Sequence, residues 1–147
     1  MTRPVPKLLL VDPAARDRLR VMAALTGLAD VHTPEPTDDP VRLVRHTRFD
    51  LVLVALPRLA ARRGLSLCRT LKTDGGRPPP VGLLDPWRRL RDIPGALEDS
   101  LADGYLGGAV DPSVLARFLD GLQAGTRPRV EHPAPPRSLW GRLRGGF

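Results

Sequence analysis

Phe49-Asp50-Leu51-Val52-Leu53-Val54-Ala55-Leu56-Pro57 is the stretch that decides how this chain folds. Positions 51–56 are apolar without interruption, rich in Val and Leu, and a proline closes the run. A strand with one wet face alternates polar and apolar residues. An unbroken run of this length belongs to a strand covered on both faces, the habit of a parallel sheet between two helical layers.

The flanking sequence repeats a strand–helix alternation. Residues 7–11 form a short apolar run followed by Asp12-Pro13, a pair that opens helices with Asp as cap and Pro in the first turn. Residues 14–25 place Leu19, Met22, Ala23 and Leu25 on one helical stripe, and Gly27 supplies a stop. A short strand is expected at 30–33. Asp38-Asp39-Pro40 then opens a second helix with Val41, Leu43 and Val44 as its apolar positions. After the central run, Leu65, Cys68 and Leu71 recur three apart and mark a third helix over 64–72. A turn-rich connection leads to a fourth strand at 81–84. Residues 86–103 contain Pro86, Pro94 and Gly95, which predicts a broken, irregular fourth helix. A fifth strand follows at 104–110, and Asp111-Pro112-Ser113 caps a last helix through Leu122. The expected class is α/β: a doubly wound, five-stranded parallel sheet of order 2-1-3-4-5 with right-handed crossovers.

The chain's 147 residues suit one domain plus a tail, divided on this reading into 1–126 and 127–147. No stretch approaches the roughly 20 apolar residues of a membrane span, and the run at 8–11 is too short for a signal peptide, so a cytoplasmic protein is expected. The single cysteine, Cys68, reads as a small core residue. The net charge of +7 raises the question of nucleic acid, but its distribution answers in part. Residues 1–126 carry 18 basic and 15 acidic side chains, whereas residues 127–147 carry five arginines and one glutamate. Much of the excess therefore lies in the tail.

In its order of segments, the chain resembles the response-regulator receiver domains. F-D-L-V-L-V-A-L-P is similar to their third strand, L-R-V-M-A-A-L-T-G-L-A-D-V to their first helix and second strand, and G-L-S-L-C-R-T-L-K to their third helix. P-P-V-G-L-L fits the fourth strand. A-D-G-Y-L-G-G-A-V-D-P-S-V-L stands where the family usually reads A-D-D-Y-L-x-K-P-F before its last helix. The resemblance spans residues 6–124 and implies the flavodoxin-like receiver fold.

It also implies a site without its chemistry. Ala55 stands at the aspartate that accepts the phosphoryl group, and a methyl group has no nucleophile. Asp85 matches the hydroxyl residue that ends the fourth strand, Gly108 the lysine that contacts the phosphoryl group, and Ala109 the position of the usual cis-proline. Asp12 alone matches the acidic pair that holds Mg²⁺. Asp12 and Asp85 each precede a proline and read first as caps of the first and fourth helices; a two-carboxylate metal site is the second reading. Phosphoryl transfer at this pocket is not expected, nor is any cofactor. His32, His46 and His132 share no spacing with Cys68 or a serine that would assemble a nucleophile and base, and no phosphate-binding glycine loop is present.

Two functional classes follow. The first is a non-enzymatic pseudo-receiver that binds proteins in a bacterial signalling or polarity pathway. The resemblance places a face for partner binding or pairing of copies at Leu97, Leu101, Tyr105, Val114 and Phe118. Residues 126–137 hold four prolines and read as a semi-extended linker. Beyond it, Leu139, Trp140, Leu143 and Phe147 stand among arginines, either as a docking peptide or folded back on the domain. The second class is a small basic regulator that binds nucleic acid through Arg58, Arg62, Arg63, Arg88, Arg89 and Arg91. No nucleic-acid reading motif accompanies them.

Overall fold

The structure, a computed structural model, describes residues 5–11, 18–35, 37–57, 59–74, 76–108 and 110–131. Strands and helices alternate along it: β1 (Lys7–Val11), α1 (Arg18–Leu25), β2 (Asp30–His32), α2 (Pro40–His46), β3 (Leu51–Ala55), α3 (Ala61–Asp74), β4 (Val81–Asp85), α4 (Ile93–Ser100), β5 (Gly104–Gly107), α5 (Pro112–Ala124) and β6 (Arg129–Glu131). All strand pairs are parallel, in the order β2-β1-β3-β4-β5-β6. The expected 2-1-3-4-5 order is present, extended by a sixth strand.

The period-2 alternation of the strands sorts the core into two layers. Leu8, Leu10, Leu51, Leu53, Leu84 and Leu106 face α1 and α5, where Leu25, Leu115, Phe118 and Leu122 meet them. Leu9, Val52, Val54, Val81, Leu83 and Tyr105 face the opposite way, toward Val44 of α2, Cys68 and Leu71 of α3, and Ile93 of α4. β3 is buried along its whole length, which is why its sequence does not alternate. Gly82 and Gly104 are register partners on β4 and β5, and a Cβ on either would lie within about 3 Å of Phe118 and Leu122. Their missing side chains form the depression that seats α5.

The Asp-Pro signals behave as helix caps at two places. Asp39 accepts from the N–H of Val41 ahead of α2, and Asp111 accepts from the N–H of Ser113 ahead of α5. The residues at Asp12-Pro13 lie outside those described. The fourth helix is a regular two turns instead of a broken segment. Asp92 caps it by accepting from Gly95 N–H, and Pro94 falls in the first turn, where a missing N–H costs nothing.

The sixth strand corrects the expectation of five. Arg129-Val130-Glu131 lies in the stretch read as linker, yet it pairs with Tyr105-Leu106-Gly107, and Val130 packs on the α1/α5 layer. It also corrects the expected uniformity of the crossovers. The steps to β5 and to β6 move the same way across the sheet, but α4 and α5 lie on opposite faces. The crossover through α5 is therefore opposite in hand to the other four, a rare arrangement. Gly125 and Arg127, both at positive φ, bend the chain back tightly enough to make it. No helix among the described residues is long and apolar enough to cross a membrane.

Candidate functional site at the carboxyl edge of the sheet

Parallel α/β sheets bind ligands beyond the carboxyl ends of their strands, so the site is built from what β3, β4 and β5 present there. Ala55 ends β3 and is buried, in register with Leu84 of β4. Its methyl group belongs to the α1/α5 layer. Asp85, one residue beyond Leu84, points the opposite way.

Asp85 is fully buried, at 0% exposure. One carboxylate oxygen accepts from Arg89 N–H at 2.9 Å; the other accepts from Leu90 N–H at 3.0 Å and from the Tyr105 hydroxyl at 2.8 Å. Its backbone carbonyl accepts from the N–H groups of Arg88 and Gly108. Asp85 thus organises the 86–90 loop and ties it to β5. The first sequence reading, a cap of the fourth helix, is corrected: that cap is Asp92, and Asp85 reaches amides of the loop before it. Arg88 adopts φ 50°, which brings the next two amides round to the carboxylate.

Tyr105 lies across β5, 1% exposed, and its ring reaches the carboxylate because the next residue on that face is Gly107. A Cβ there would stand 2.5 Å from the phenol oxygen. Burial, and then the hydrogen bond to Asp85, push the phenol's pKa well above its ordinary value. Tyr105 was expected on a partner-binding face, and the structure places it in the interior. Phe118 from the same expected face is also buried, Leu97 and Val114 are half-buried, and only Leu101 is open, at 41%. β6 covers the adjoining edge of β5.

Of the positions matched to a phosphorylation site, Gly108 is buried at φ 97° and offers only its amide, which Asp85 already occupies. Asp12 and Ala109 lie outside the described residues, as do Leu139, Trp140, Leu143 and Phe147 of the tail. Among the described residues no group of three or more His, Cys, Asp or Glu is placed to hold a metal. Cys68 is buried on the core face of α3, its thiol pushed up to about 12 by burial, which disfavours the thiolate a nucleophile needs. His32 is exposed and bonds to Asp30; His46 is exposed on α2; His132 lies beyond the described residues. Arg62 and Arg63 open α3, and Arg88, Arg89 and Arg91 sit in the loop before α4, so the arginines gather at this edge; Arg58 is outside the described residues.

No protein-family model matches the chain, and no curated protein does. Solved structures match in fold. The Francisella response regulator 1452 receiver domain superposes with a TM-score of 0.61 at 20% identity, covering 83% of this chain and 99% of that one. The chemotaxis response regulator CheY4 of Vibrio cholerae gives 0.63 at 18% identity over 81% and 99%. The receiver domain of the Pseudomonas aeruginosa sensor histidine kinase PA1611, solved with magnesium coordinated in its active-site cleft, gives 0.61 at 20% over 82% and 99%. The fold shared with all three is that of the receiver domain.

Proposed function

From a receiver fold whose acceptor position is Ala55, we propose that this protein is a pseudo-receiver: a non-enzymatic protein-interaction module in bacterial signalling or polarity, working without phosphorylation. One observation carries the reading. Ala55, which the resemblance aligns with the receiver's acceptor aspartate, ends β3 with a buried methyl group, and the carboxylate that ends β4 accepts three hydrogen bonds from its own loop and from Tyr105. A carboxylate so engaged serves as structure.

Incubation with acetyl phosphate and Mg²⁺ is expected to leave the mass of the protein unchanged. A labile aspartyl phosphate at Asp12 or Asp85, detected by mass spectrometry, would overturn the proposal.

The tail is the second part of the proposal. Leu139, Trp140, Leu143 and Phe147 act as a docking peptide, an apolar group among arginines beyond a proline-rich segment. Trp140→Ala is expected to weaken partner binding by about 2 kcal/mol or more, as central aromatic anchors do, with the melting temperature of the domain nearly unchanged. A loss of stability with binding preserved would show instead that the tail is part of the core.

A further inference from the structure

Two exposed apolar side chains stand on neighbouring loops at the carboxyl edge. Leu59, between β3 and α3, is 78% exposed, and Trp87, between β4 and α4, is 43% exposed. β3 and β4 are paired strands, about 4.8 Å apart, and both loops turn onto the face covered by α2, α3 and α4. Each apolar residue precedes a non-glycine residue in the left-handed region, Ala60 at φ 63° and Arg88 at φ 50°. That conformation costs roughly 1–2 kcal/mol per residue; at Arg88 it also turns the loop amides onto Asp85, so the position of Trp87 is fixed by the same bonds. The Trp87 loop is also held in place from beneath by Asp85.

The charge around the two residues is mainly positive: Asp85 is buried in the loop's hydrogen bonds, and exposed Asp92 caps α4. Arg62 and Arg63 follow Leu59 by one turn of chain, and Arg88 and Arg91 follow Trp87. None of these four guanidinium groups is paired with a carboxylate among the described residues. We infer that this edge is a docking surface for an acidic segment of a protein partner, with an apolar anchor seated against Leu59 and Trp87 and its carboxylates on the arginines.

Charge excludes the nearer occupants. β6 runs parallel to β5, so the chain leaves the described domain at this same end, but residues 132–147 carry three arginines and no acidic residue. A second copy meeting this edge with its own, in a two-fold contact, would likewise set arginines against arginines. The aliphatic Leu59 separates the surface from a nucleic-acid platform, which would stack bases on aromatic faces. The inference rests on the pseudo-receiver reading in one respect: with no phosphoryl chemistry at this edge, its loops are open to a partner.

The test is a selection from phage-displayed random peptides on the full chain near physiological salt. The expected consensus is an apolar residue flanked by Asp or Glu. The selected peptide should bind Leu59→Asp, and separately the Arg62→Glu/Arg63→Glu variant, at least about tenfold more weakly, ~1.4 kcal/mol. Both variants change exposed positions and should melt like the parent protein. A consensus lacking acidic residues, binding that survives either variant, or displacement of the peptide by a single-stranded oligonucleotide at the same salt would each overturn the inference. Failure of the selection with no aspartyl phosphate formed removes this surface and leaves the pseudo-receiver reading standing.

Discussion

Asp85→Ala is expected to destabilise the domain by about 3 kcal/mol, because it strands two loop amides and a buried hydroxyl at once. Urea unfolding followed by Trp fluorescence measures it. A change within about 0.5 kcal/mol, ordinary for an inert surface position, would show that the loop does not depend on this carboxylate. The same variant has a spectroscopic signature, since Tyr105 is the single tyrosine of the chain. In the parent protein burial and Asp85 favour the neutral phenol beyond its ordinary value of 10.0. Its contribution to stability is therefore complete below pH 10 and declines as pH rises further, when the unfolded chain releases a proton that the folded one retains. Tyrosinate absorbance should thus appear in the parent only with alkaline unfolding. In Asp85→Ala it should appear at lower pH. Coincident titrations of the two proteins would contradict the coupling.

Phe118→Ala should have the largest effect, about 4 kcal/mol, because a fully buried ring leaves a void in the depression made by two glycines. Coupling gives the more specific check. Gly82→Ala alone brings its methyl within 2.9 Å of Phe118 and Leu122, which overpacks the site. In the Phe118→Ala background the ring is gone and the same methyl fills space. The two substitutions should be non-additive by at least ~1 kcal/mol, and simple additivity would mean that α5 does not seat as described.

Both predictions concern residues whose importance the chain itself conceals. The Val and Leu runs declare buried strands because apolar residues on both faces have only one kind of place to go, and Asp39 and Asp111 declare helix starts because a cap acts within its own first turn. The type and order of the first five strands were legible for the same reason: each is a local property. Asp85-Pro86 carries the same local signal as Asp111-Pro112 and does something else. Which amides Asp85 reaches depends on the positive φ of Arg88, and its third partner, Tyr105, lies twenty residues away on a different strand.

β6 was beyond sequence reading for a related reason. Arg-Val-Glu has no pattern of its own, and it becomes a strand because β5 leaves an open edge of amides and carbonyls beside it. The opposite hand of its crossover follows from α5 having to bury Leu115, Phe118 and Leu122 on the α1 face. Periodicity thus determined a doubly wound parallel α/β sheet, and the order of its segments carried the resemblance to receiver domains. Tertiary structure decided the sixth strand, the enclosure of Tyr105 by Asp85 and Gly107, and the edge that carries Leu59, Trp87 and the arginines, because each depends on how segments far apart in the chain are paired.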